Sequence, residues 1–115
     1  MTETKTSLQL SPHHAAIVRT LLHQYVPSAE VWVYGSRAKG TARPSSDLDL
    51  VVFAATNKPA DIDALREAFE DSDLPFRVDL FVWDEIPESF KPNILNEHIP
   101  IQHGVAQHPE LAAGT

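Results

Sequence analysis

Apolar residues recur at intervals of three and four between positions 15 and 25. Ala15, Val18 and Leu22 interleave there with Ile17, Leu21 and Tyr25. That spacing predicts a helix with one buried face. Ser11 before Pro12 supplies its start, because a serine side chain can cap the first turn and proline loses nothing at the first helical position. Pro27 stops it. Residues 31–34, Val-Trp-Val-Tyr, form a short β-rich run that ends abruptly at Gly35 and Ser36.

Residues 48–53, Leu-Asp-Leu-Val-Val-Phe, predict a second strand, reached through turn-forming residues 43–46. Pro59 and Asp61 open a second helix with Ile62, Leu65, Ala68 and Phe69 along one side, and residues 71–75 break it. A third strand is predicted over 76–83. A short final helix follows over 87–98, interrupted by Pro92, and residues 99–102 are extended. Helices and strands alternating in this order predict an α/β (α+β) domain with a small sheet and flanking helices. The domain is expected over 11–103, between a loose arm at 1–10 and a poorly ordered tail at 104–115.

Length and charge narrow the functions open to such a domain. The chain has 115 residues, enough for one modest core, and no cysteine, so neither disulfides nor thiolate metal sites arise. No signal peptide or long apolar run is evident, so a cytoplasmic location without a membrane span is expected. The formal net charge is −7. A nucleic-acid-binding domain normally carries a basic face, so template-directed work and direct nucleic-acid binding are not expected. A nucleotide remains compatible if cations neutralise its phosphates.

The candidate chemistry lies in three places. Side chains alternate along a strand, so Asp47 and Asp49 project from one face while Leu48 and Leu50 enter the core. In the third strand Asp79 shares a face with Arg77 and Phe81. If the second and third strands are neighbours, three carboxylates converge. Clustered carboxylates repel one another unless cations bind between them, and hard oxygen ligands suit Mg²⁺. Two such ions about 3.5–4 Å apart can assist in-line displacement at phosphorus. Gly35 and Ser36, directly after a strand and leading into Arg37 and Lys39, predict a helical turn whose backbone and hydroxyl donors meet phosphate, with the two cations near the leaving pyrophosphate.

The run Gly35-Ser36-Arg37-Ala38-Lys39-Gly40, followed by Ser46-Asp47-Leu48-Asp49-Leu50, resembles the signature of the DNA polymerase β-like nucleotidyltransferase superfamily. The branch it looks like is the minimal nucleotidyltransferases, including antitoxins paired with HEPN toxins. The resemblance covers residues 31–83, with a weaker echo at 89–102. It implies a polymerase β-like fold with a mixed sheet, ATP as substrate and two Mg²⁺ ions. It further implies triphosphate contact by Ser36, with Gly35, Arg37 and Lys39 around it, and binding of both metals by Asp47 and Asp49. Asp79 would hold the catalytic metal and help the acceptor hydroxyl lose its proton.

Larger members of that superfamily add a helical domain that grips the acceptor, and this chain ends soon after the third acidic strand. The expectation is therefore transfer of AMP from ATP to a hydroxyl, a tyrosine, of a cognate HEPN toxin RNase. Two alternatives stay open: an antitoxin that acts by steric binding alone, and a transferase for a small-molecule acceptor. The six histidines show no metal-ligand spacing and are read as surface or structural residues. Arg43 and Lys58 are not assigned to the site. Trp32, Tyr34 and Trp83 are read as sheet and core residues.

Overall fold

The computed structural model describes residues 8–43, 45–53 and 59–104. Helix α1 (Pro12–Tyr25) begins as its sequence requires, with the Ser11 hydroxyl accepting the His14 N–H at 3.2 Å and proline in the first turn. Strand β1 (Glu30–Tyr34) follows and bends at Gly35 into the one-turn helix α2 (Ser36–Lys39). Strand β2 (Leu48–Phe53), helix α3 (Pro59–Glu70) and strand β3 (Val78–Val82) then form a crossover unit. A 3₁₀ turn over Trp83–Glu85, helix α4 (Lys91–Asn96) and strand β4 (Ile99–Gln102) complete the chain's described elements.

The four strands form one mixed sheet in the order β3-β2-β1-β4. Strand β1 runs antiparallel to β2 and β4, and β2 runs parallel to β3. The parallel pairing exists because α3 carries the chain back across the sheet, as parallel neighbours require. Pro100 is accommodated because β4 is an edge strand, where a missing N–H breaks no internal ladder.

Period-two alternation sorts the sheet's side chains into two cores. Val31, Val33, Leu48, Leu50, Val52 and Leu80 face α1 and α3, where Val18, Leu22, Ile62, Leu65 and Phe69 complete the larger core. On the opposite face Trp32, Tyr34, Val51 and Phe53 meet Trp83, Ile86 and Ile94 in a smaller aromatic core under α4. Trp32 packs against Phe53 at 4.6 Å and lies stacked with His98 at 3.7 Å between ring centroids.

The end of β4 is fastened by buried polar contacts. Glu30 accepts hydrogen bonds from Trp32 Nε1 and from the Gly104 N–H, both at 2.9 Å. Gln102 Nε2 donates to the carbonyls of Val26 and Ala29, both at 2.8 Å. Buried polar groups need partners: the three bonds from Gln102 and Gly104 tie the end of β4 to the α1–β1 connection and the start of β1, and the Trp32 bond within β1 holds the Glu30 carboxylate.

Three boundaries differ from the sequence expectation. The final helix runs over Lys91–Asn96 and not over 87–98. Proline has no N–H and Pro92 is tolerated only in a first turn, so the helix starts beside it, while Phe90 N–H closes a separate turn on the Pro87 carbonyl at 2.9 Å. The third strand is shorter than 76–83, since Trp83 already belongs to the 3₁₀ turn. Leu8 and Leu10, placed in the arm from sequence, pack on the larger core. Residues 1–7 and 105–115, which make up the rest of the expected arm and tail, lie outside the described residues, as does Lys58.

Candidate active site

Gly35 is the residue on which the site turns. Its φ of +77° belongs to a region that L side chains rarely adopt, and a Cβ there would lie 2.5 Å from Asp49 Oδ2. Both facts exclude any other residue without movement. The bend lets the chain leave β1 and enter α2 while the Asp49 carboxylate closes over the backbone. Ser36 opens α2 immediately beyond it, and Gly40 ends the turn in the left-handed conformation with its N–H on the Ser36 carbonyl.

The sheet register sets the carboxylates. Asp49 is paired with Tyr34 across the antiparallel ladder and with Asp79 across the parallel one. Three residues from three adjacent strands thus occupy one row of the face that carries the smaller core. Asp47 precedes β2, is exposed, and lies on the same side by alternation. The Leu48 N–H bonded to the Arg77 carbonyl at 2.8 Å holds the start of β2 beside the start of β3.

Electrostatics register the crowding. Burial, then Asp79 and Asp47, push the Asp49 carboxyl up to about 6, only partly opposed by Arg77. The Tyr34 hydroxyl is pushed well above its ordinary value by burial first, then by Asp49 and Asp79. Asp79 is held by Arg77, whose Nε donates to Asp79 Oδ1 at 2.9 Å. Arg77 is raised in turn by that bond and by the nearby carboxylates.

Among the described residues no three carboxylates or imidazoles are drawn together tightly enough to cage an ion as they stand. Arg77 already answers one of the acids, Asp79. The donor set nevertheless fits a hard divalent cation. It offers carboxylate oxygens alone, it is under-neutralised, and it lies open on the side where a substrate phosphate would supply further oxygens.

Arg37 does a different job from the phosphate contact expected of it. It is only 5% exposed. Its Nη1 donates to the Gln9 carbonyl at 2.7 Å, and its Nε and Nη2 donate to the Ser46 carbonyl at 3.0 and 2.7 Å. A further bond reaches the Arg43 carbonyl at 3.4 Å, and the guanidinium lies 4.2 Å over the Phe76 ring. Burial lowers its pKa, with Asp47 opposing. The side chain is a buckle that holds the loop leading to Asp47. Lys39 stands exposed at the end of α2. The structure thus brings Gly35, Ser36, Asp47, Asp49 and Asp79 into one region and turns Arg37 to structural work.

Tyr34 was read from sequence as a sheet and core residue, which it is, and Phe81 was not assigned to the site, although alternation already placed it on the face of Asp79. With Phe90 they surround a cavity of about 470 Å³ that reaches Asp49. The rings of Phe81 and Phe90 are each 6.2 Å from that of Tyr34.

Residues 15–101 match the family described as nucleotidyltransferase domain. The chain is 44% identical over 98 residues to the Haemophilus influenzae protein named probable protein adenylyltransferase MntA, covering 83% of this chain and 84% of that one. It resembles a crystal structure of a toxin–antitoxin with AMP-PNP at a TM-score of 0.67 and 24% identity, over 87% of this chain and 81% of that one. A minimal nucleotidyltransferase structure matches at a TM-score of 0.60 and 33% identity, over 76% of this chain and 89% of that one. With a family match across most of its length and a relative 44% identical to it, this chain belongs to the nucleotidyltransferase domain family and is an enzyme of the MntA-like, minimal kind.

Proposed function

We propose that the protein transfers AMP from ATP to a hydroxyl of a partner protein, a HEPN-type toxin whose RNase activity the modification silences. The observation that carries this reading is the row of Asp49 and Asp79 on adjacent parallel strands beside the Gly35–Ser36 bend. The MntA relative is named as a protein adenylyltransferase, and the toxin–antitoxin structure that shares the fold contains AMP-PNP, which supports the same direction.

In the reaction the acceptor O–H loses its proton, its oxygen forms a bond to the α-phosphorus, and the α–β phosphoanhydride bond breaks to release pyrophosphate. Ser36 and the backbone at Gly35 hold the phosphate chain on the β1 side. Asp47, Asp49 and Asp79 would hold two Mg²⁺ ions, which supply charge neutralisation for the phosphates and Lewis acidity at the attacking and leaving oxygens. In this reading Asp79 would lie on the acceptor side and help the hydroxyl lose its proton. Releasing Asp79 from Arg77 would cost little, because the Arg77 side chain of the ion pair is largely solvent-exposed.

The test is to incubate the protein, ATP and Mg²⁺ with the candidate toxin and record intact masses. The toxin should gain whole AMP units, and Asp47→Asn should abolish the gain. Full neutralisation of the toxin with no mass change, in wild type and variant alike, would replace transfer by steric binding.

A further inference from the structure

We infer that residues 8–10, ahead of α1, are a positioning strap for the site, and that the main chain of Gln9 holds both the turn at Ser36 and the loop that carries Asp47. The inference rests on the reading of that site as one for a metal-bound triphosphate, and adds a segment outside the motif that keeps its two halves in place.

Asp47 is exposed and lies ahead of the strand ladder, so its place is set by its two neighbours. On one side the Leu48 N–H donates to the Arg77 carbonyl at 2.8 Å. On the other the Ser46 carbonyl accepts from Arg37 Nε and Nη2 at 3.0 and 2.7 Å. Ser46 is also closed on Arg43, its N–H on the Arg43 carbonyl at 2.9 Å and its Oγ accepting the Arg43 N–H at 2.8 Å. The loop therefore moves with Arg37.

The far end of that guanidinium is held by the strap. Arg37 Nη1 donates to the Gln9 carbonyl at 2.7 Å, and the Gln9 N–H donates back to the Arg37 carbonyl at 2.9 Å. One residue thus grips Arg37 by side chain and main chain together. The second bond falls on α2, directly beside Ser36. The Leu10 N–H closes on the Leu8 carbonyl at 3.0 Å, a three-residue turn with Gln9 at its apex. Leu8 and Leu10 pack on the larger core and anchor the turn at both ends.

The strap therefore fastens the phosphate turn and the metal loop to one peptide. Mg²⁺ demands near-octahedral ligands, and a site whose ligands must first be ordered binds more weakly than one already in place. A segment that served only to cover the core would need the two leucines and not the paired bonds to Arg37.

The test compares full-length proteins by calorimetric titration with Mg²⁺ and α,β-methylene-ATP, a triphosphate analogue whose α–β bridge does not break. Hydrogen exchange of the Ser46 and Leu48 amides is measured alongside, without ligand. Gln9→Pro removes the N–H that meets Arg37 and leaves the core untouched. Leu8→Ser combined with Leu10→Ser removes the anchors, and Gln9→Pro decides alone if that variant does not fold. Ile101→Ala, in the same core but on β4, controls for lost stability. Expected in the strap variants is a Kd for the Mg²⁺–analogue complex weakened about tenfold, the share of roughly one hydrogen bond, with faster exchange at Ser46. Ile101→Ala should lower Tm at least as far and leave Kd unchanged. Equal Kd in wild type and strap variants would overturn the strap, as would an equal weakening in Ile101→Ala. The reading of the site fails separately, if the wild type binds no analogue. Faster Ser46 exchange in the strap variants alone then keeps the strap as the support of the loop, and unchanged exchange removes it too.

Discussion

Asp49 carries more than one burden, for it is crowded by burial, Asp79 and Asp47 and also fills the space that a side chain at position 35 would need. Its folded pKa of about 6 lies above the ordinary carboxylate value, so the native state keeps the proton over that interval and the unfolded state does not. The stability it contributes is therefore largest at acid pH and falls as pH rises from about 4 to about 6. In metal-free protein, Asp49→Asn should raise stability above pH 6 by on the order of 1 kcal/mol after allowance for solvent screening, and by nothing near pH 4. Paired thermal melts across pH measure the difference; a gap independent of pH would refute the crowding. Gly35→Ala should do the reverse, destabilising by about 1–3 kcal/mol from backbone conformation alone and abolishing transfer as Asp49 is displaced. Urea unfolding and the intact-mass assay read the two effects. The alternation rule made the faces of Asp49, Asp79 and Leu48 legible in advance, since it needs only one strand at a time. The pairing of Asp49 with Tyr34 was not legible, because it depends on which strands are neighbours.

Among the elements, the short helix α2 illustrates what a motif does and does not reveal. Its glycine boundaries and its position after β1 follow from the sequence, as a left-handed C-cap and a sharp entry both call for glycine. The use of Arg37 does not follow. Its partners are the carbonyls of Gln9 and Ser46, 28 and 9 residues away, so no local spacing announces them. Replacing it with methionine should leave buried carbonyls unsatisfied and cost about 2–4 kcal/mol, and lysine should not rescue a fork that serves two separate segments. Denaturant midpoints for the two variants check this. If Arg37→Lys behaves as wild type, the buckle is not what holds the Asp47 loop. Helix α4 teaches a similar lesson, for the helix expected over 87–98 concealed a separate turn closed by the Phe90 N–H on the Pro87 carbonyl before the helix starts beside Pro92.

At the scale of the whole molecule the two faces of the sheet divide their labour. One is buried under α1 and α3 and supplies most of the apolar burial, while the other shares its area between a small aromatic core and the acids. Trp83→Ala should remove the centre of that small core and cost about 3–5 kcal/mol, a large part of the total for a domain of this size. Calorimetry would show it, together with a loss of the shift that ligand gives. In the intact protein Mg²⁺ and ATP together should raise Tm beyond the sum of either alone, equivalent to about 2.7 kcal/mol at a hundredfold excess over Kd. Asp47→Asn should erase that synergy. Alternating helices and strands disclosed the fold class, whereas the antiparallel seat of β4 beside β1 and the parallel seat of β3 beside β2 rest on contacts remote in sequence.

The edges of the sheet have a consequence for how this protein meets others. On one border Pro100 interrupts the row of N–H groups that an incoming strand would need. On the other, Arg66 Nη2 donates to the Leu80 carbonyl at 3.0 Å, and Arg77 and Asp79 place charge along the rim. Proteins discourage edge-to-edge polymerisation with these devices. The chain is thereby kept from annealing edge to edge with its own copies, and its associations are left to side-chain surfaces, which can tell one partner from another.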